Sequence, residues 1–121
     1  MRALSVRQPW AWLLCAGRKQ TEYRSWRMPP CAAGKWLALH ASAAPDAAPF
    51  DLVPDMPDVF PLGAIVGLIR FGPSVLSIQS GWDWPVLDVI ALHDPIKCRG
   101  ALNLWRVPEE IAQGLSKKVC H

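Results

Sequence analysis

ALSVRQPWAWLLCAGRKQTEYRSW, residues 3–26, is the stretch that decides how the chain is read. Its apolar opening, residues 3–6, is short and is stopped by Arg7 and Gln8, the pattern of a buried strand. Pro9 suits a first helical turn, where its missing N–H costs nothing, and Gln8 then falls at or near the N-cap. Across residues 9–16, Trp10, Leu13 and Leu14 share one helical face while Trp12, Cys15 and Ala16 share another. Such a helix is expected to pack on both sides. Gly17 is the natural left-handed terminator, and Arg18 and Lys19 follow where cations suit a helix C-terminus. Residues 20–26 alternate, with Glu22, Arg24 and Trp26 on one side and Thr21, Tyr23 and Ser25 on the other. Strand, helix, turn and strand, with cations at both helix ends, predict one wall of a ligand cleft.

Working outward, residues 28–34 read as a loop and residues 35–42 (KWLALHAS) as a second strand. Residues 43–61 hold five prolines and four aspartates and are expected to be a surface excursion with at most one helical turn. Residues 63–71 (GAIVGLIRF) are a strongly apolar strand whose internal Gly67 predicts a bulge or a close backbone approach. Residues 73–84 read as turn sequence. Residues 86–93 form a strand broken by Asp94-Pro95, residues 96–99 are extended, and residues 101–107 alternate. Residues 108–115 make a closing helix, proline first and acids in its first turn, with a frayed tail beyond. The expectation is one α+β, mainly β domain spanning residues 1–121: a small, closed or nearly closed β-barrel of about six short strands with two or three short helices.

The charge pattern narrows the ligand class. The net charge is only +3, but residues 1–40 carry seven Lys/Arg against the single acid Glu22. Residues 41–94 reverse this, with seven aspartates against Arg70, and the tail from Pro95 is basic again. Such segregation points to a basic face suited to an anionic or nucleic-acid ligand. The cysteines at 15, 31, 98 and 120 lie far apart, with no metal-ligand spacing. They are read as free thiols, with no metal and no cofactor. No apolar run reaches the roughly 20 residues of a membrane span, and no export signal opens the chain. A cytoplasmic monomer without membrane contact is expected.

Residues 4–26 resemble the opening motif of the ASCH domain family. Its apolar strand, R-Q-P-W-A and G-x-K-x-x-E-x-R-S-W are matched at Arg7, Gln8, Pro9, Trp10, Ala11, Gly17, Lys19, Glu22, Arg24, Ser25 and Trp26. HAS at 40–42, PLGAIVG at 61–67 and CRGALNLW at 98–105 follow in the family's order, with Asn103 where a glycine is common. The resemblance implies a PUA-like β-barrel and binding of RNA or another nucleic acid in a cleft beside the first helix. It also implies three further activities found within the family: ribonuclease action, hydrolysis of an acylated nucleoside, and service as an accessory domain. The acylcytidine-hydrolysing branch implies a lysine, a threonine and a central-strand glutamate. Here Lys19 matches the lysine, Glu22 stands where the threonine would be, Thr21 is on the other strand face, and the remaining glutamates are Glu109 and Glu110.

The expected binding set is therefore Arg7, Gln8, Trp10, Lys19, Glu22, Arg24, Trp26 and Ser42. Arg7, Lys19 and Arg24 would meet phosphates, Trp10 and Trp26 would stack on bases, and Gln8 and Ser42 would read base edges. The leading expectation is an RNA- or modified-nucleotide-binding domain. The alternative is a metal-independent hydrolase acting on RNA or an acylated nucleoside through Lys19 and Glu22, with His40 a weaker candidate. A third is protein binding through residues 43–61.

Overall fold

The computed structural model describes residues 1–47 and 51–119. The elements in chain order are β1 (Arg2–Val6), α1 (Trp10–Cys15), β2 (Thr21–Arg24), β3 (Trp36–Ala41), β4 (Ala64–Phe71), β5 (Val75–Leu76), β6 (Trp82–Lys97), β7 (Leu104–Arg106) and α2 (Glu109–Val119). β1 lies parallel to β3 and antiparallel to β7. The full sheet runs β2-β6-β4-β3-β1-β7, with β5 on β6. It curls into a half-barrel, the α+β, PUA-like architecture expected. Among the described residues no ladder joins its outer strands, β2 and β7, so the barrel has an open side.

Both faces of the central strands are buried, which is why β3 reads as an almost unbroken apolar run. On one face Leu4, Val6, Leu39, Phe71 and Trp84 pack with Ala11 and Leu14 of α1. On the other, Ala3, Ala38, Ile65 and Leu68 are covered by Ala112 and Leu115 of α2. α1 is held close to the sheet at Gly67. A Cβ there would meet Cys15 Sγ at 2.8 Å and the Ile90 carbonyl at 2.9 Å. The β4–β6 register also slips between Ile65 and Gly67. Both features that an internal glycine predicts are therefore present.

Three expectations are corrected. Residues 73–84 are not all turn: β5 and the start of β6 form a hairpin, and Trp82, Asp83, Trp84 and Pro85 pair with β2. The pattern is obscured because Pro85 sits where β6 leaves β2 for β4. The break expected at Asp94-Pro95, with a separate short segment after it, is instead a slip within one long strand. Ile65 pairs with Ile96 and Gly67 with Ala91, so Val66 faces the span 92–95. The closing helix does not fray at Ser116 but runs to Val119, with Lys117 and Lys118 in its last turn, where cations oppose the helix dipole favourably. The described part of residues 43–61 contains turns but no helix. No helix among the described residues is long and apolar enough to cross a membrane.

Gly67→Ala must displace both the Cys15 side chain of α1 and the Ile90 carbonyl of β6. Urea denaturation is expected to show a loss of about 1–3 kcal/mol, the usual cost of overpacking.

Candidate functional site

The open side of the half-barrel is a cleft of about 1270 Å³. Its walls are the end of β1 with Arg7, β2 with the preceding Lys19, the start of the excursion at residues 42–46, and residues 97–103 between β6 and β7. Local chemistry brings Lys19 there. α1 ends at Gly17, whose φ of 72° is the left-handed value that spares glycine a Cβ clash. The backbone N–H groups of Arg18 and Lys19 then both donate to the Leu13 carbonyl, turning the chain back toward β2.

At the cleft's centre Glu22 is buried, with 6 % of its surface exposed. Lys19 Nζ donates to Glu22 Oε1 at 2.9 Å and also to the Thr21 carbonyl. Arg24 donates from Nε (3.2 Å) and Nη2 (2.9 Å) to Glu22 Oε2, and Nη2 also reaches the Ser5 carbonyl at 2.9 Å. A carboxylate removed from water is tolerable when both oxygens have charged donors. The arrangement has one negative and two positive charges, so one unit of positive charge remains facing the cleft.

Of the expected set, Arg7, Trp10, Lys19, Glu22, Arg24 and Ser42 line this cleft. Arg7 is exposed and has no side-chain partner among the described residues. Trp10 contributes a half-buried ring whose Nε1–H donates to Asp46 at 2.8 Å. Gln8 and Trp26 do not line the cleft. Gln8 is buried: its Oε1 accepts the Trp12 N–H at 2.9 Å and its Nε2 donates to the Pro61 carbonyl at 3.2 Å. It caps α1 and anchors the far end of the excursion. Trp26 lies beyond the end of β2 and packs edge-on against Trp84, centroids 4.8 Å apart. The strand ends at Arg24, so the alternation that would align Trp26 with Glu22 and Arg24 does not reach it.

His40 borders the cleft, but both its ring nitrogens are committed. Nε2 sits 2.7 Å from the Cys98 carbonyl and therefore carries the proton. Nδ1 then accepts from the Ser5 hydroxyl at 2.9 Å, and Ser5 Oγ accepts the Trp105 Nε1–H at 3.0 Å. Burial lowers the His40 pKa from its usual 6.5, against the opposing effect of the Cys98 carbonyl. The ring is a neutral latch holding residues 98–103 to β1 and β3, and it is not directed at Lys19 or Glu22. The Cys98 thiol is raised by burial and then by Glu110, which leaves it protonated rather than nucleophilic.

Residues 97–103 add what the sequence reading missed. Lys97 and Arg99 are exposed cations lining the cleft from the segment between β6 and β7. The basic tail was visible, but only the pairing of Ala64 with Lys97 brings it to the cleft. Asn103 also lines the cleft, with φ of 60°. That is a left-handed position, which asparagine tolerates better than other non-glycine residues, and it explains how asparagine can stand where glycine is common.

The family model of the ASCH domain matches residues 4–70, just over half of the chain. The chain belongs to the ASCH domain family. No curated protein matches it. The matched span supplies β1, α1, β2 and the Lys19–Glu22–Arg24 cluster, whereas Lys97, Arg99 and Asn103 of this ASCH domain lie outside it.

Two outcomes follow. Glu22→Gln leaves two cations facing a neutral amide; because Lys19 and Arg24 are about a quarter exposed, chemical denaturation is expected to show a loss of roughly 2–3 kcal/mol, below the full cost of breaking a buried pair. For His40, the unfolded state binds the proton more readily than the folded state below pH 6.5. Stability is therefore expected to fall as pH drops from about 7 towards 5, and His40→Gln to flatten that slope when folding free energy is measured across the range.

Proposed function

We propose that the cleft binds RNA or a modified nucleotide, through backbone charge first and base contacts second. The observation that carries this reading is the charge balance. Arg7, Lys19, Arg24, Lys97 and Arg99 line a space in which, among the described residues, Glu22 and Asp46 are the carboxylates. Lys19 and Arg24 are occupied with Glu22, but the side chains of Arg7, Lys97 and Arg99 have no ion-pair partner among the described residues. Cations along the cleft wall that no carboxylate neutralises are what a phosphate backbone requires. Neutral groups lie between them: Ser42 with its hydroxyl and Asn103 with its amide, suited to base edges, and the Trp10 and Tyr23 rings, suited to stacking. The volume exceeds the ~300–1,000 Å³ common for small-molecule pockets, and the family's PUA-like fold favours RNA as the polymer.

The same geometry favours recognition over hydrolysis. Lys19 donates to two acceptors at once and offers no free amine as a base. His40 has both nitrogens engaged in holding the fold.

Arg7→Ala and Arg99→Ala test the reading without disturbing the Glu22 clamp. Each is expected to weaken binding of a single-stranded RNA oligomer and to reduce the slope of log K against log salt by about 0.7. Unchanged affinity and slope in both variants, measured by fluorescence anisotropy, would place the RNA elsewhere.

A further inference from the structure

A second basic pocket lies at the other end of β1. It has a volume of about 300 Å³, and it is lined by Arg2, Lys35 and Arg106 over a floor that includes Ala32, Trp36 and Leu37. None of its lining residues is acidic. Arg2 and Arg106 are direct cross-strand partners in the β1–β7 ladder, so their side chains rise from the same face of the sheet. Both are exposed, and neither has a side-chain hydrogen bond or ion pair among the described residues.

Like charges directly opposite each other on a sheet destabilise it. Four cations do meet a carboxylate, Arg18 with Asp55, Lys19 and Arg24 with Glu22, and Arg70 with Asp88, and among the described residues none of these pairs sets two cations opposite each other on adjacent strands. The Arg2–Arg106 pair lacks any such partner and is joined by Lys35 from the turn before β3. Two planar guanidinium forks and an ammonium around a small hollow match the oxygens of a phosphate group, which two arginines can chelate in bidentate fashion.

We infer that Arg2, Lys35 and Arg106 form a phosphate-binding pocket, separate from the cleft and at the opposite end of β1. The ligand is a phosphate group, free or carried by a longer molecule. β1 is five residues long, so the two sites are roughly 15 Å apart along the strand. The inference stands independently of RNA binding in the cleft.

Titration of the ¹⁵N-labelled protein with inorganic phosphate at constant ionic strength, balanced by chloride, tests it. Saturable shifts are expected in the amides of Arg2, Lys35 and Arg106 and in the arginine Nε–H signals. The melting temperature is expected to rise by about 5 °C at ten times the phosphate Kd. Arg106→Glu, which gives Arg2 an opposite charge to face, is expected to fold at least as stably and to lose the saturable shifts. Arg106→Ala is a second variant with the same expected loss. Arg7→Ala, in the cleft, is expected to keep them. A 5′-phosphorylated oligonucleotide run in parallel separates the sources. Competition with inorganic phosphate for these resonances assigns the pocket to a strand's phosphate, and its absence assigns the pocket to the free anion. The inference is overturned if phosphate gives no saturable shift at these residues, or if Arg106→Glu retains it.

Discussion

A single guanidinium spans the open side of the barrel. Arg24 at the end of β2 grips Glu22 and, with the same Nη2, the Ser5 carbonyl of β1. β2 and the β1–β7 edge share no ladder among the described residues, so this contact stands in for the backbone hydrogen bonds that would have closed the sheet. It also decides what the gap becomes. A strand pairing there would have filled it with main chain. An ion cluster holds the two edges at a distance that leaves a lined, solvent-accessible space. The burial of Glu22 follows from this role, because both its oxygens are needed, one for Lys19 and one for Arg24.

α1 depends on the excursion at residues 43–61 in the same way. α1 is only six residues long and has little stability of its own. The excursion supplies partners to it. Asp46 takes the Trp10 indole N–H, Pro61 takes the Gln8 amide, Asp55 pairs with Arg18 at 2.6 Å, and Phe60 meets the Trp12 ring edge-on. The apolar second face of α1 read from the sequence is thus answered partly by the sheet and partly by this loop. A proline-rich insertion becomes part of the wall, with Asp46 at the cleft margin.

Legibility in the sequence followed the range of the interactions. Residues 3–24 were readable because helix stop, strand alternation and charge placement are all local signals that agree. Trp26 falls outside the cleft because a periodicity carries no mark of where its strand stops. The position of Gln8 was not legible because its amide looks the same whether it reads a base or caps a helix. The distinction lies in Pro61, more than fifty residues away. Lys97, Arg99 and the Arg2–Arg106 pairing were illegible for the same reason. Each depends on which strand lies beside which, and a sixteen-residue strand that changes partners and slips register hides that in sequence.

The motif residues and the free cations consequently have different physical roles. Among the polar residues that make the opening stretch recognisable, Gln8, Lys19, Glu22 and Arg24 are largely occupied with one another and with backbone carbonyls, whereas Arg7 is not. The occupied residues set the width and floor of the cleft. Arg7, Lys97 and Arg99 have no ion-pair partner among the described residues. Loss of binding on truncating Lys19 or Arg24 would therefore mix a collapsed clamp with a lost contact. Only substitutions at the unoccupied cations separate the geometry of the cleft from the attraction it exerts.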